Sequence, residues 1–352
     1  MTYFHYNKVM TKNIVNEIAK KLCLSPKGIL AADESTNTIK KRFDMIDVES
    51  NFESRRSYRE LLFKTRNLNE FISGIILYDE TIKQNTSEGI PFPKYLSENG
   101  IIPGIKVDKG AIPLDKDSGE KFTEGLDGLN KRLEEYKMLG AKFTKWRAII
   151  NIDLTKNYPS LYCLEANAFM LARYAKTVQD YEMVPIVEPE VIMDGIHTIE
   201  DCYEVTSSTL KKVFEQLNLH QVNLSGILLK PNMVISGTKC EEQASIEKVA
   251  KLTVQCLTEN VPKDVPGIVF LSGGQSNEKA TLHLNEMNKL FKDLPWKLSF
   301  SYGRALQQPS ISSWKGEENN IKISQDALFK RSKLNSSATS GAYSPNDEQQ
   351  IL

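Results

Sequence analysis

Lys230 lies within the run SGILLKPNM, directly after Ile227, Leu228 and Leu229 and directly before Pro231. A lysine in that setting can do more than meet solvent. Burial and neighbouring cations disfavour the ammonium form, and an unprotonated amine attacks a carbonyl to give a carbinolamine and then a Schiff base. Lys145 and Arg147 in TKWRA are two residues apart, as are Glu188 and Glu190 in PIVEPE, so each pair shares one face of an extended strand. Lys145 would supply the like charge beside Lys230, and Glu188 and Glu190 would move the protons. The competing reading of Lys230 is a side chain snorkelling from a strand tip into water.

Anion sites are the second chemical signal. In LSGGQ, Ser272, Gly273 and Gly274 allow backbone N–H groups to form an anion-binding nest, and in SYGRAL Ser301, Gly303 and Arg304 offer a hydroxyl, a close backbone approach and a guanidinium. A separate cationic set comprises Lys106, Lys41 and Arg42, with hydroxyls at Ser35 and Thr38. Two separated anion sites imply a substrate phosphorylated at both ends. The four histidines, His5, His197, His220 and His283, are scattered, without HExxH or a pair at ligand spacing, so a metal site is not expected. Neither a Walker P-loop nor a GxSxG elbow occurs.

These groups need a scaffold that brings them to one place. Eight short apolar segments recur along the chain, at 28–33, 72–79, 100–108, 142–150, 183–191, 225–231, 267–274 and 297–306. Several are separated by stretches of helical period, such as Leu161, Leu164, Ala168, Leu171, Ala175 and Val178, and Thr198 to Asp201 reads as a helix start. Strands alternating with helices predict parallel pairing, and eight is the number that closes a (β/α)8 TIM barrel, whose chemistry sits at the C-terminal ends of its strands. Those ends carry Asp33, Asp79, Lys106, Lys145 with Arg147, Glu188 with Glu190, Lys230, Ser272 and Arg304. An open doubly wound sheet is the rival, but its GxGxxG fingerprint is missing from ADESTNTIKKR after the first strand. The expected organisation is one barrel over residues 1–334, followed by a flexible polar tail over 335–352.

Lys plus Arg equals Asp plus Glu at 45 each, which gives no bulk electrostatic reason for a nucleic-acid or anionic-membrane partner. Five widely spaced cysteines suit reduced thiols, and neither a signal peptide nor a long apolar span is present, so a cytoplasmic location is expected.

Taken in order, GILAADEST, IKVDKG, TKWRA, PIVEPE, LLKPNM, LSGGQ and FSYGRAL resemble class I fructose-1,6-bisphosphate aldolase from about residue 10 to 334. The resemblance implies reversible, metal-independent cleavage of fructose 1,6-bisphosphate to dihydroxyacetone phosphate and glyceraldehyde 3-phosphate, with no cofactor. It makes Lys230 the Schiff-base former, Glu188 the acid/base group, Glu190 its neighbouring carboxylate and Asp33 the group near the C4 hydroxyl, with Lys145 and Arg147 beside them. It places Ser272, Gly273, Gly274, Ser301, Gly303 and Arg304 at one phosphate, and Ser35, Thr38, Arg42 and Lys106 at the other. It also implies a homotetramer and contacts with actin or adhesin tails. A Schiff-base aldolase for another sugar bisphosphate, such as sedoheptulose, and a non-catalytic binding scaffold are the alternatives. The sequence departs from the family at Asn37 and Thr38, and in ending DEQQIL without a terminal tyrosine. Tyr343 is not assigned that tyrosine's role.

Overall fold

The computed structural model describes residues 13–350. Its strands are β1 (Gly28–Ala31), β2 (Ile72–Leu77), β3 (Ile102–Lys106), β4 (Gly110–Pro113), β5 (Lys121–Glu124), β6 (Phe143–Ile150), β7 (Val184–Val191), β8 (Leu228–Leu229), β9 (Gly267–Phe270) and β10 (Lys297–Tyr302). Eight of them close a parallel barrel in the order β1-β10-β9-β8-β7-β6-β3-β2. Each expected apolar run supplies one barrel strand. The run at 225–231 contributes only two strand residues, because a 3-10 turn at Leu224–Gly226 precedes them and Pro231 follows. Lys230 N–H still donates to Val187 O at 2.8 Å, so the lysine stays in the ladder.

A helix spanning the described residues 13–22, α1, precedes the barrel. Then come α2 (Thr36–Asp44), α3 (Phe52–Phe63), α4 (Asp79–Ile82), α5 (Phe92–Glu98), α6 (Leu129–Met138), α7 (Leu161–Asp180), α8 (Ile199–Leu219), α9 (Ile246–Asn260), α10 (Asn277–Leu290), α11 (Arg304–Trp314), α12 (Ile321–Ala338) and α13 (Asp347–Gln350). Four of the barrel helices begin on a hydroxyl: Ser160, Thr198, Ser245 and Ser276 each accept from the N–H three residues on. Thr198 and Asp201 form a full capping box, as the sequence pattern predicts. Of the stripe foreseen on α7, Leu161 is an exception, 64% exposed in the helix's first turn, whereas the other five face the core.

The barrel is a packed interior. Phe143 and Phe300 fill it against glycines of neighbouring strands: a Cβ at Gly104 would lie 2.3 Å from Phe143, and one at Gly28 would lie 2.4 Å from Phe300. At the N-terminal end α1 seals the bottom, with Val15, Ala19 and Leu22 joining Ile29, Ile76, Phe143, Ile186 and Val269 in one apolar cluster. Ser73 Oγ ties this seal down by bonding Leu22 O at 2.5 Å.

Two features differ from the sequence reading. The first is an antiparallel hairpin, β4 with β5, inserted between β3 and α6. The second is residues 335–349, where a flexible polar tail was expected. Helix α12 runs through to Ala338, and Tyr343 beyond it is only 5% exposed. Tyr343 N–H donates to Asn285 Oδ1 at 2.9 Å, while Glu348 pairs with the buried Arg331 guanidinium at 2.5 Å and accepts from Tyr343 O–H at 3.0 Å. Polar side chains here satisfy one another against α10 and α12 rather than facing water, a use that composition does not reveal.

Candidate active site

The C-terminal ends of the strands converge on a cavity of about 360 Å3. It is lined by every residue that the family resemblance assigns to the site except Gly274, whereas Lys41 of the sequence's cationic set is exposed on α2 outside the lining. Gly274 lies behind the wall at φ +70°, where glycine completes the turn after β9 and packs on Met193. Asp79, which ends the second strand-like run, does not line the cavity. It opens α4, accepts from Tyr136 O–H at 2.7 Å and pairs with Lys83 at 3.0 Å.

At the centre, Glu188 on β7 stands between the two lysines. One carboxylate oxygen is 3.2 Å from Lys230 Nζ on the loop after β8, and the other is 3.4 Å from Lys145 Nζ on β6. Lys145 continues to Asp33 at 2.8 Å and to Asp108 at 3.8 Å, while Asp108 also holds Lys106 at 2.7 Å. Lys230, Lys145 and Glu188 are each 4% exposed. This corrects the sequence reading in one respect, since the like charge that Lys145 was to supply beside Lys230 is compensated by carboxylates. The three lysines meet three carboxylates, so the charges at the centre cancel. The alternation within β6 and β7 explains the arrangement: Lys145 and Arg147 point inward together, opposite Glu188 and Glu190, and Arg147 Nε donates to Glu190 Oε2.

The electrostatics follow from this packing. Burial alone would raise the Asp33 carboxyl, but the Lys145 and Lys230 ammonium groups outweigh it and hold Asp33 well below the usual carboxylate range. Burial would likewise favour neutral Lys145, yet Asp33, Glu188 and Asp108 keep its ammonium form to far higher pH than an ordinary lysine. Arg147 is held charged in the same way, chiefly by Glu190 against the cost of burial.

The two ends of the cavity are differently built. At one, Ser272 and Gly273 follow β9, and Ser301, Gly303 and Arg304 follow β10. Arg304 donates to Gln275 O at 2.8 Å, and Ser301 Oγ is buried in the wall without a hydrogen-bond partner among the described residues. His283 on α10 fixes this loop from behind: burial pushes its imidazole down to about 4, so the neutral ring donates from Nδ1 to Gln275 Oε1 at 2.6 Å. At the other end Ser35 and Thr38 share a hydrogen bond of 3.0 Å, and Arg42 pairs with Glu34 at 2.5 Å. The hairpin roofs one side, with Gly110 and Ala111 in the lining. It is anchored by Thr123 Oγ1 bonding Arg147 O at 2.7 Å, and by Glu120 accepting from Ser160 N–H at 2.7 Å.

Sequence reasoning missed Glu34 and Asp108, both buried in this wall. Each lay inside a motif already singled out, Glu34 beside Asp33 in ADEST and Asp108 in IKVDKG. A second acid immediately beside a chosen one was the available signal.

A closed (β/α)8 barrel with paired lysines bridged by a glutamate, between two anion-receptive ends, has the equipment of a carbonyl-handling enzyme for phosphorylated substrates. The model of the family described as fructose-bisphosphate aldolase class-I matches residues 14–351. A probable fructose-bisphosphate aldolase class 1 from Xanthomonas campestris pv. campestris is 56% identical over 93% of this chain and 97% of its own length. The fructose-bisphosphate aldolase of Dictyostelium discoideum is 52% identical over 92% and 91%. A solved structure of fructose-bisphosphate aldolase from Plasmodium falciparum, in complex with TRAP and a small-molecule inhibitor, superposes with a TM-score of 0.93. It is 47% identical, covering 95% of this chain and 96% of that one. The chain belongs to the class-I fructose-bisphosphate aldolase family, lyases that cleave fructose 1,6-bisphosphate reversibly through a Schiff base. Among the described residues no helix is long and apolar enough to cross a membrane.

Proposed function

We propose that Lys230 is the amine that adds to the C2 ketone, and that Glu188 protonates the departing carbinolamine hydroxyl to leave the iminium. The observation that carries this is Glu188 reaching Lys230 at 3.2 Å and Lys145 at 3.4 Å through different oxygens. It can exchange a proton with the amine's adduct while a fixed ammonium steadies its charge. The iminium draws electrons from C3–C4. Asp33, kept ionised by Lys145, takes the C4 hydroxyl proton, the aldehyde leaves, and the electron pair settles in an enamine on Lys230. Protonation of the enamine at C3 and hydrolysis return the ketone and the free amine. Glu190 holds Arg147 beside this centre.

Because C2 is bonded to Lys230 and C4 lies at Asp33, the chain of the sugar runs onward to Ser35, Thr38, Arg42 and Lys106, which take the 6-phosphate. Ser272, Gly273, Gly274, Ser301, Gly303 and Arg304 form the pocket for the 1-phosphate. Backbone N–H groups at glycines and a guanidinium are suited to a phosphate dianion. The protein acts in the cytoplasm as a homotetramer, and the basic groove around the mouth receives actin or an acidic, aromatic-containing adhesin tail. The aldolase solved with TRAP supports the last reading.

The test is borohydride reduction in the presence of substrate, followed by peptide mapping and a parallel assay in chelator. A secondary-amine adduct on Lys230 with chelator-resistant turnover is expected. An adduct elsewhere, or activity abolished by chelator, refutes the assignment. Lys230→Met should abolish turnover while retaining competitive binding of phosphorylated ligands.

A further inference from the structure

We infer that Arg59 is a positioning residue for the 6-phosphate end: it leaves Glu34 free to aim Arg42 without cancelling the charge that Arg42 offers. This rests on the reading of Arg42 as a phosphate contact.

Arg59 lies on α3, its side chain only 3% exposed, and it is not part of the cavity lining. Its guanidinium pairs with Glu34 Oε2 at 2.8 Å and extends to Glu34 O at 3.4 Å and Gln307 Oε1 at 3.5 Å. The other oxygen of Glu34 holds Arg42 at 2.5 Å. Gln307 closes the network by donating to Glu34 Oε1 at 2.8 Å and Ala31 O at 2.7 Å, and it accepts from Tyr58 O–H at 3.2 Å. Arg59 and Gln307 therefore hold the Glu34 carboxylate from behind the wall, while Glu34 and Arg42 line the cavity.

The charge balance gives the arrangement its meaning. A carboxylate beside an anion-binding arginine orients the guanidinium, but alone it would neutralise it and repel an incoming phosphate dianion. With two guanidinium groups on one carboxylate, the cluster keeps a single surplus positive charge. At the opposite end Arg304 reaches the same surplus differently, since it is oriented by the neutral Gln275 carbonyl and has no carboxylate partner among the described residues. The lysines and carboxylates between the two ends cancel, so positive charge is in excess only where phosphates would bind. A structural ion pair is a poor alternative account, because a buried charge pair seldom stabilises a fold more than apolar residues of the same size.

The experiment compares cleavage of fructose 1,6-bisphosphate with that of fructose 1-phosphate, which lacks the group in question. In Arg59→Gln, KM for the bisphosphate should rise about tenfold, with kcat within about threefold and 1-phosphate kinetics unchanged. The double variant Glu34→Gln/Arg59→Gln restores one surplus charge and should bring the bisphosphate KM back to within about threefold of wild type. Equal losses on both substrates, no loss on either, or a double variant worse than Arg59→Gln would overturn the inference. Should Arg59→Gln not fold, Arg59→Lys decides, because its ammonium keeps the charge. A bisphosphate KM near wild type is then expected, and a tenfold rise in that variant alone overturns the proposal. Arg42→Ala separates the two layers. If it leaves the discrimination between the two substrates intact, the phosphate assignment itself is wrong. If it collapses the discrimination and Arg59→Gln does not, only the role of Arg59 falls.

Discussion

Replacing Lys145 with methionine removes a cation that touches three carboxylates, at 2.8 Å from Asp33, 3.4 Å from Glu188 and 3.8 Å from Asp108. At an effective dielectric of about 20, the pair at 2.8 Å is worth about 6 kcal/mol of attraction. Breaking a buried pair by deleting one partner typically costs about 3–5 kcal/mol, and the same range is expected here at neutral pH. The pH dependence is the sharper signature. In the wild-type protein the depressed Asp33 carboxyl adds stability that is present above its unfolded value of about 4 and is lost as pH falls through the folded value. Without Lys145, burial, the largest single influence on Asp33, is opposed only by Lys230 and Lys106, and the folded value is expected to move above the unfolded one. Stability relative to wild type is then lost as pH rises from about 4. Urea unfolding of both proteins between pH 4 and pH 7 should show a destabilisation that grows with pH, and aldol cleavage at pH 7 should fall by about a thousandfold or more. A destabilisation that is flat with pH, or smaller than about 1 kcal/mol, would show that the carboxylates do not depend on this ammonium in the way described.

Two further substitutions probe the scaffold. Gly104→Ala would force a methyl group to within 2.3 Å of the Phe143 ring, and overpacking of this kind should cost about 3 kcal/mol, read as a lower urea midpoint at unchanged slope. Glu348→Ala leaves the buried Arg331 without its carboxylate and Tyr343 without its acceptor. With Glu348 itself 23% exposed, a loss of about 1–2 kcal/mol is expected. Amide exchange should quicken at Ser340 to Glu348 while the barrel strands stay protected. Unchanged exchange there would show that this clamp does not hold the segment.

The barrel was legible because each of its strands is a short apolar run and its helices announce themselves by period and by caps such as Thr198. That Lys230, Glu188 and Asp33 meet in one cavity was legible because charge at the end of such a run is costly unless it is paired or used. The β4–β5 hairpin was not, since its strands are four residues each and only half buried, which leaves little alternation to read. Gln307 and Arg59 could not be found either. Gln307 lies 273 residues from Glu34 in the chain, and nothing local distinguishes it from the other polar residues of α11. Its position is a product of barrel closure, which brings β10 beside β1. The residues after 334 misled for the opposite reason, because Asn335, Tyr343 and Glu348 are polar by composition yet are spent on internal partners.

Among the described residues, the plug that α1 forms under the strands makes the barrel a vessel with one opening. Reactant, both fragments and the water for hydrolysis must then pass the same rim, so traffic is sequential. On the proposed assignment of Lys230 as the amine, the aldehyde has to clear the doorway before the solvent that frees its tethered sibling can enter.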